Sequence, residues 1–242
     1  MTTTTYARLE LLRAFRSTRF FVFSLAFPLV MYFLIAGPRR HEQADGIPRP
    51  LYFMTGMVAW GAMVAVTASG ARIAGERAVG WNRQLRLTPL RAWTYFGAKV
   101  ATGYALALVT IAVLYAAGMV LGVHLPLTSW LEMTGLIVVA LLPFAALGVV
   151  LGHVLTVDSL GPAMGGITAV FALLGGTWGP VAATGPMHAL ARILPSYWLV
   201  QAGKTAAGGA GQPAQAWLVI AVWTAVLVRL AATVYRRDTK RV

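Results

Sequence analysis

Cysteine is absent from the 242 residues, which excludes a disulfide framework, a thiolate-bound metal and a cysteine nucleophile. Acidic residues are scarce: seven Asp and Glu stand against twenty Lys and Arg. Charged residues of both signs make up 11% of the chain, too few to cover a soluble domain, for which about 25% is usual. Disorder is excluded as well, because 58% of the chain is apolar. The net charge of +13 could suggest nucleic acid, but no basic domain stands apart from the apolar sequence to bind it.

What is there is long, uncharged, continuous runs. A helix needs about 20 apolar residues to cross a hydrocarbon core of about 30 Å. Six runs answer to this: Phe20–Ala36, Leu51–Ile73, Phe96–Val123, Glu132–Leu155, Leu160–Gly179 and Ala216–Ala232. They are continuous rather than alternating, which excludes a β-barrel. The first run is longer than a signal-peptide core, has Leu34 where a cleavage site needs a small residue, and is followed by Pro38, so it reads as a permanent helix. The expected fold is an all-α integral membrane protein, residues 1–242 forming one transmembrane domain.

Orientation follows the Lys and Arg residues that flank the spans. One side collects Arg8, Arg13, Arg16 and Arg19, then Arg72, Arg77, Arg83, Arg86, Arg91 and Lys99, then Arg229, Arg236, Arg237, Lys240 and Arg241. The other collects Arg39, Arg40, Arg49, Arg192 and Lys204. Fifteen against five puts both termini in the cytoplasm of a multi-pass protein of the cell inner or plasma membrane.

Two segments outside the spans carry pattern. In Tyr6–Phe20, Leu11, Leu12 and Phe15 share one side of a helix while Glu10, Arg13 and Arg16 lie away from it. This suits a helix lying in the inner interface; the alternative is an extension of the first span. The inner segment Gly75–Ala98 is too long for a turn and too short for a domain. Thr88 precedes Pro89, which disfavours helix there, so a short helix near Val79–Leu87 stops at that point. Leucines among arginines make this segment either a docking element for a partner or a loop whose arginines only hold topology.

The order Glu76-Arg77, Gly80, Leu85, Thr88-Pro89-Leu90 and then Lys99 in the next span resembles the inner loop of the ABC-2 (type V exporter-like) family of ABC-transporter permeases. Trp81 and Asn82-Arg83-Gln84 depart from the hydroxyl and acidic residues common there. A second segment, Leu194-Pro195-Ser196-Tyr197-Trp198 with Gln201–Lys204 and Gly208-Gly209, is similar to the family's outer proline–aromatic stretch. The resemblance implies an N-terminal interfacial helix, six spans, a cytoplasmic coupling helix between spans two and three, and short outer helices before span six. It implies that Glu76, Arg77, Gly80, Leu85, Thr88, Pro89 and Leu90 couple to an ATPase. It further implies a second permease copy, making a homodimer, and two ATPase subunits that bind the ATP and Mg.

Other motifs were weighed beside this. Gly203-Lys204-Thr205 fails as a phosphate loop because Trp198 stands where the first glycine must be, so the chain is expected to lack a nucleotide site and not to be an enzyme by itself. His41, His124, His153 and His188 lack ligand spacing, and no metal is expected. Glu132, Asp158 and Arg72 sit at span ends, leaving the membrane interior without the ionisable groups of a proton-coupled carrier. Gly118–Gly122, Gly148–Gly152, Gly161–Gly165 and Gly175–Gly179 each allow close helix approach, and span five, with two such pairs and Gly166, is the expected moving or dimer-facing helix.

Trp60, Met63 and Thr67 on span two and Phe171 and Trp178 on span five would give an apolar substrate a forgiving path, or serve in packing. Pro186–Val200 reads as an outer interfacial helix with its aromatics at headgroup depth, and Pro195, Tyr197 and Trp198 as an outer gate. The expected function is an ATP-driven exporter permease for a hydrophobic or amphipathic substrate such as a drug, lipid or lipid-linked glycan. A passive channel, or a scaffold recruiting a cytoplasmic partner, is the alternative.

Overall fold

The computed structural model describes residues 3–18, 22–81, 84, 92–181, 184–205 and 212–240. Helix α1 covers Thr3–Phe15, and a π-helical turn, Val22–Ala26, leads into α2, Phe27–Ala36. A two-residue hairpin pairs β1 (Gln43–Ala44) with β2 (Ile47–Pro48) antiparallel. Asp45 and Gly46 turn between them with φ of 57° and 77°, the left-handed pair that an Asp-Gly loop supplies. Then come α3 (Arg49–Ala71), α4 (Ile73–Ala78), α5 (Ala92–Val120), α6 (Leu127–Ala140) and α7 (Leu142–Val154). The chain continues through α8 (Val157–Gly175), α9 (Pro186–Arg192), α10 (Pro195–Thr205) and α11 (Ala214–Lys240).

Among the described residues, five helical stretches are long and apolar enough to cross a bilayer: Arg49–Ala78, Trp93–Val120, Leu127–Val154, Val157–Gly175 and Ala214–Arg237. They match the second to sixth runs with ends displaced by a few residues. The first run is represented by the shorter apolar helix Val22–Ala36, and Phe20 lies outside the described residues. The fourth span is interrupted at Leu141, two residues before Pro143. That proline lacks an N–H and sits in the first turn of α7, where none is needed.

Helix α3 is the axis of the bundle. Its apolar window is 94% buried, against 11% for that of α8. It packs on α2, α5, α7 and α10. Small residues allow this enclosure. A Cβ on Gly148 of α7 would lie 2.3 Å from the carbonyl oxygen of Thr67, and one on Gly152 would lie 2.6 Å from that of Gly70. Gly148–Gly152 is thus a genuine small-residue crossing against α3. The other three pairs behave differently. Gly118 packs against Met54, and Gly122 instead closes α5 with a φ of +89°. Gly161 and Gly165 have no neighbour within 4 Å, and of the last pair only Gly175 is helical, lying against Ser196.

Candidate functional site

One end of the bundle gathers α1, α4, the start of α5 and the ends of α7 and α11. Lys99 lies on α5, seven residues in from its start, and is fully buried. An apolar span cannot hold a lone ammonium at that depth, because desolvation costs several kcal/mol per ion. Two carboxylates meet it. The Lys99 Nζ donates to Glu10 Oε1 of α1 at 2.5 Å, and also to Glu76 Oε1 of α4. The Tyr95 hydroxyl donates to Glu76 Oε2 at 2.5 Å, and its ring lies 5.5 Å from the Lys99 Nζ. Ser69 Oγ donates to the Lys99 carbonyl at 2.8 Å. Arg72, at the joint between α3 and α4, lies in the field of both carboxylates, so two cations balance two anions.

Two further contacts complete the site. Arg77 donates from Nη1 to the Gly152 carbonyl of α7 at 3.4 Å, fastening α4 to a second span. The Arg13 guanidinium of α1 lies 5.6 Å from the Trp81 ring centroid, so α1 meets the inner segment just beyond Gly80. Gly80 has a φ of +72°, a left-handed conformation that ends the α4 turn. The short helix expected near Val79–Leu87 therefore does not begin at Val79; Val79 and Gly80 form a turn, and Trp81 and Gln84 beyond it are helical.

Of the coupling residues named from sequence, Glu76 and Arg77 lie on α4 inside this network and Gly80 closes it. Leu85, Thr88, Pro89 and Leu90 lie outside the described residues, as do Asn82, Arg83, Arg86, Leu87 and Arg91. Glu10 was not named as a site residue, only placed away from the side of α1 that carries Leu11, Leu12 and Phe15. It is 3% exposed, with Ala14 also buried, while Leu12 and Phe15 of the same helix are exposed. A signal existed: Glu10 is the sole acid among the first forty-one residues, and Lys99 is the sole cation within its apolar run.

The residues proposed to line a path divide. Thr67 donates to the Phe144 carbonyl at 3.4 Å, and the Phe171 ring stands edge-on to the Phe144 ring at 5.5 Å, so those two converge. Trp60 packs on Phe27 at 5.0 Å instead, and Met63 is buried. Trp178 follows the end of α8 and is 40% exposed.

At the opposite end, the single helix expected over Pro186–Val200 is two, broken at Ile193–Leu194. Helix α9 exposes Met187 and Leu190, as an interfacial helix does. Helix α10 is enclosed by the bundle: Pro195, Trp198, Leu199 and Val200 are buried, and it packs on α3, α6 and α8. The Trp198 indole donates to the Arg192 carbonyl at 2.8 Å, and the Tyr197 ring stands edge-on to that of Trp198 at 5.0 Å. Trp198 is buried against the turn between the two helices. Lys204, near the end of α10, pairs with Asp45 of the hairpin at 3.3 Å and lies 4.0 Å from the Tyr52 ring centroid.

Comparison with known proteins agrees with this architecture. The family described as ABC-2 family transporter protein matches residues 38–233. The Bacillus subtilis (strain 168) protein YvfS, which carries the name of a transport permease, is 27% identical over 192 residues, 78% of each chain.

Proposed function

The chain belongs to the ABC-2 transporter family, and we propose that it is the membrane-spanning permease of an ATP-driven exporter working as a homodimer with two ATPase subunits. It is a transporter permease subunit and a multi-pass membrane protein. The proposed cargo is hydrophobic or amphipathic, in the class of drugs, lipids or lipid-linked glycans. The partner subunits bind the ATP and Mg, and both termini face the cytoplasm.

The observation that carries the reading is the Glu10–Lys99–Glu76 cluster. It supports a lever: α4 is fixed to α1, to α5 and, through Arg77, to α7, so force on the inner segment moves helices rather than bending a loop. The ATPase docks on the Gly75–Leu90 segment, with Leu85, Thr88, Pro89 and Leu90 at the contact. ATP closure shifts α4, and α3 and α8 separate along the faces carrying Trp60, Met63, Thr67, Phe171 and Trp178. Pro195, Tyr197 and Trp198 gate release at the outer end. The low burial of α8 is consistent with its meeting a second permease copy.

The test is co-purification with an ATPase and hydrolysis stimulated by added lipid or drug. Leu85→Asp with Leu90→Asp is expected to abolish both assembly and stimulated hydrolysis. Unchanged assembly and hydrolysis in that variant would overturn the docking role. Transport by the permease without any ATPase would instead establish a passive channel.

A further inference from the structure

At the same end as the ion cluster, α5, α7 and α11 leave a partly open cleft of about 390 Å³. Its walls are apolar, with Phe96 and Val100 from α5, Leu142 and Ala146 from α7, and Val228 and Ala232 from α11. Where α5 begins and α11 nears its end, the lining is different, with Trp93, Tyr235 and Arg236. The Phe96 and Tyr235 rings of the lining meet edge-on at 5.0 Å. Trp93 is 86% exposed, as an indole at headgroup depth would be outside a bilayer.

We propose that this cleft binds one anionic phospholipid of the leaflet on the ion-cluster side, an acyl chain lying between α5, α7 and α11 and the phosphate on Arg236. Length supports the occupant. The lining residues of α11 run from Thr224 to Arg236, about 18 Å along a helix, close to one leaflet of about 15 Å plus the start of its headgroup layer. Charge supports it too: among the described residues Arg236 is the lone formal charge on the lining, at the same end as Trp93 and Tyr235. The position is removed from the α3 and α8 faces assigned to the substrate, so the site is separate from the proposed path. Phe96 and Ala231 of the cleft wall also pack against Ile73, Tyr95 and Val149. The cleft therefore backs directly onto the helix turn that carries Tyr95 and Lys99.

The experiment is native mass spectrometry of the delipidated full chain in detergent, titrated with phosphatidylglycerol and phosphatidylcholine of matched acyl chains. The wild type is expected to hold one phosphatidylglycerol about fivefold more tightly than phosphatidylcholine, the effect of one cation at the headgroup. Arg236→Gln brings the ratio near one, whereas Arg237→Gln, outside the lining, leaves it intact. Ala232→Trp fills the cleft and weakens both lipids. Equal retention of the two lipids by the wild type would overturn the proposal. So would an undiminished preference in Arg236→Gln, or a lipid-free wild type whose cleft is covered by a second copy.

Discussion

Lys99 and Glu10, eighty-nine positions apart, meet at 2.5 Å in the interior of the protein, and the same ammonium also binds Glu76. Removing one member of a buried, balanced set leaves an uncompensated charge, at a cost of about 3–5 kcal/mol. Lys99→Met should therefore lower the thermal midpoint of the purified protein far more than a surface Lys substitution does. Adding Glu10→Gln to Lys99→Met should recover part of the loss, because Arg72 then faces the one remaining carboxylate, Glu76. Recovery of thermostability without recovery of stimulated hydrolysis would separate the mechanical role of the cluster from its structural one.

The α3–α7 crossing tolerates no side chain at Gly148. Gly148→Leu should force the helices apart and cost about 1–3 kcal/mol or more, as overpacking does. Gly161→Leu and Gly165→Leu add atoms where nothing lies within 4 Å, so thermal unfolding of the isolated chain should be unchanged. The same two variants should reduce the dimer fraction in light scattering, since α8 is the proposed dimer face.

Trp198→Phe removes the indole donor, itself buried, and leaves the Arg192 carbonyl without it in a part-buried turn. The expected loss is about 1–3 kcal/mol, read as a lower thermal midpoint. Trp223 donates in the same way to the Ile193 carbonyl at 2.8 Å, but in an exposed setting, so Trp223→Phe should cost much less.

Burial holds the Lys204 ammonium below the usual lysine range, and Asp45 draws it part of the way back. A depressed lysine means that the folded state disfavours the proton, so stability rises as pH climbs through the folded-state value. Asp45→Asn removes the compensating charge and depresses Lys204 further. The variant should be less stable than wild type at neutral pH, by no more than about 1 kcal/mol for a half-exposed pair. That deficit should shrink as the pH approaches the ordinary lysine value and Lys204 loses its charge. Urea-free thermal scans of both proteins across alkaline pH measure it.

Residence in the bilayer, the five long spans and the family were legible because hydropathy adds up along the chain and the bilayer responds to it locally. The inner segment was legible as a family resemblance, and of its residues Glu76 and Arg77 lie on α4 with Gly80 in the turn after it. The Asp45-Gly46 pair is itself the sequence signal of the hairpin turn that the chain makes there. The partner of Glu10 was not legible, because helical periodicity separates polar from apolar sides of α1 but does not tell which polar residue meets a buried partner.

Counting apolar residues was enough to establish that this chain lives in a membrane, since lipid rejects unpaired charge wherever it occurs. Folding in three dimensions selected one glycine pair of four for the α3–α7 crossing, enclosed α3 while leaving α8 open, and joined Glu10, Glu76 and Lys99 from three separate helices. Those outcomes depend on which helices become neighbours and at what rotation, and a linear pattern contains neither.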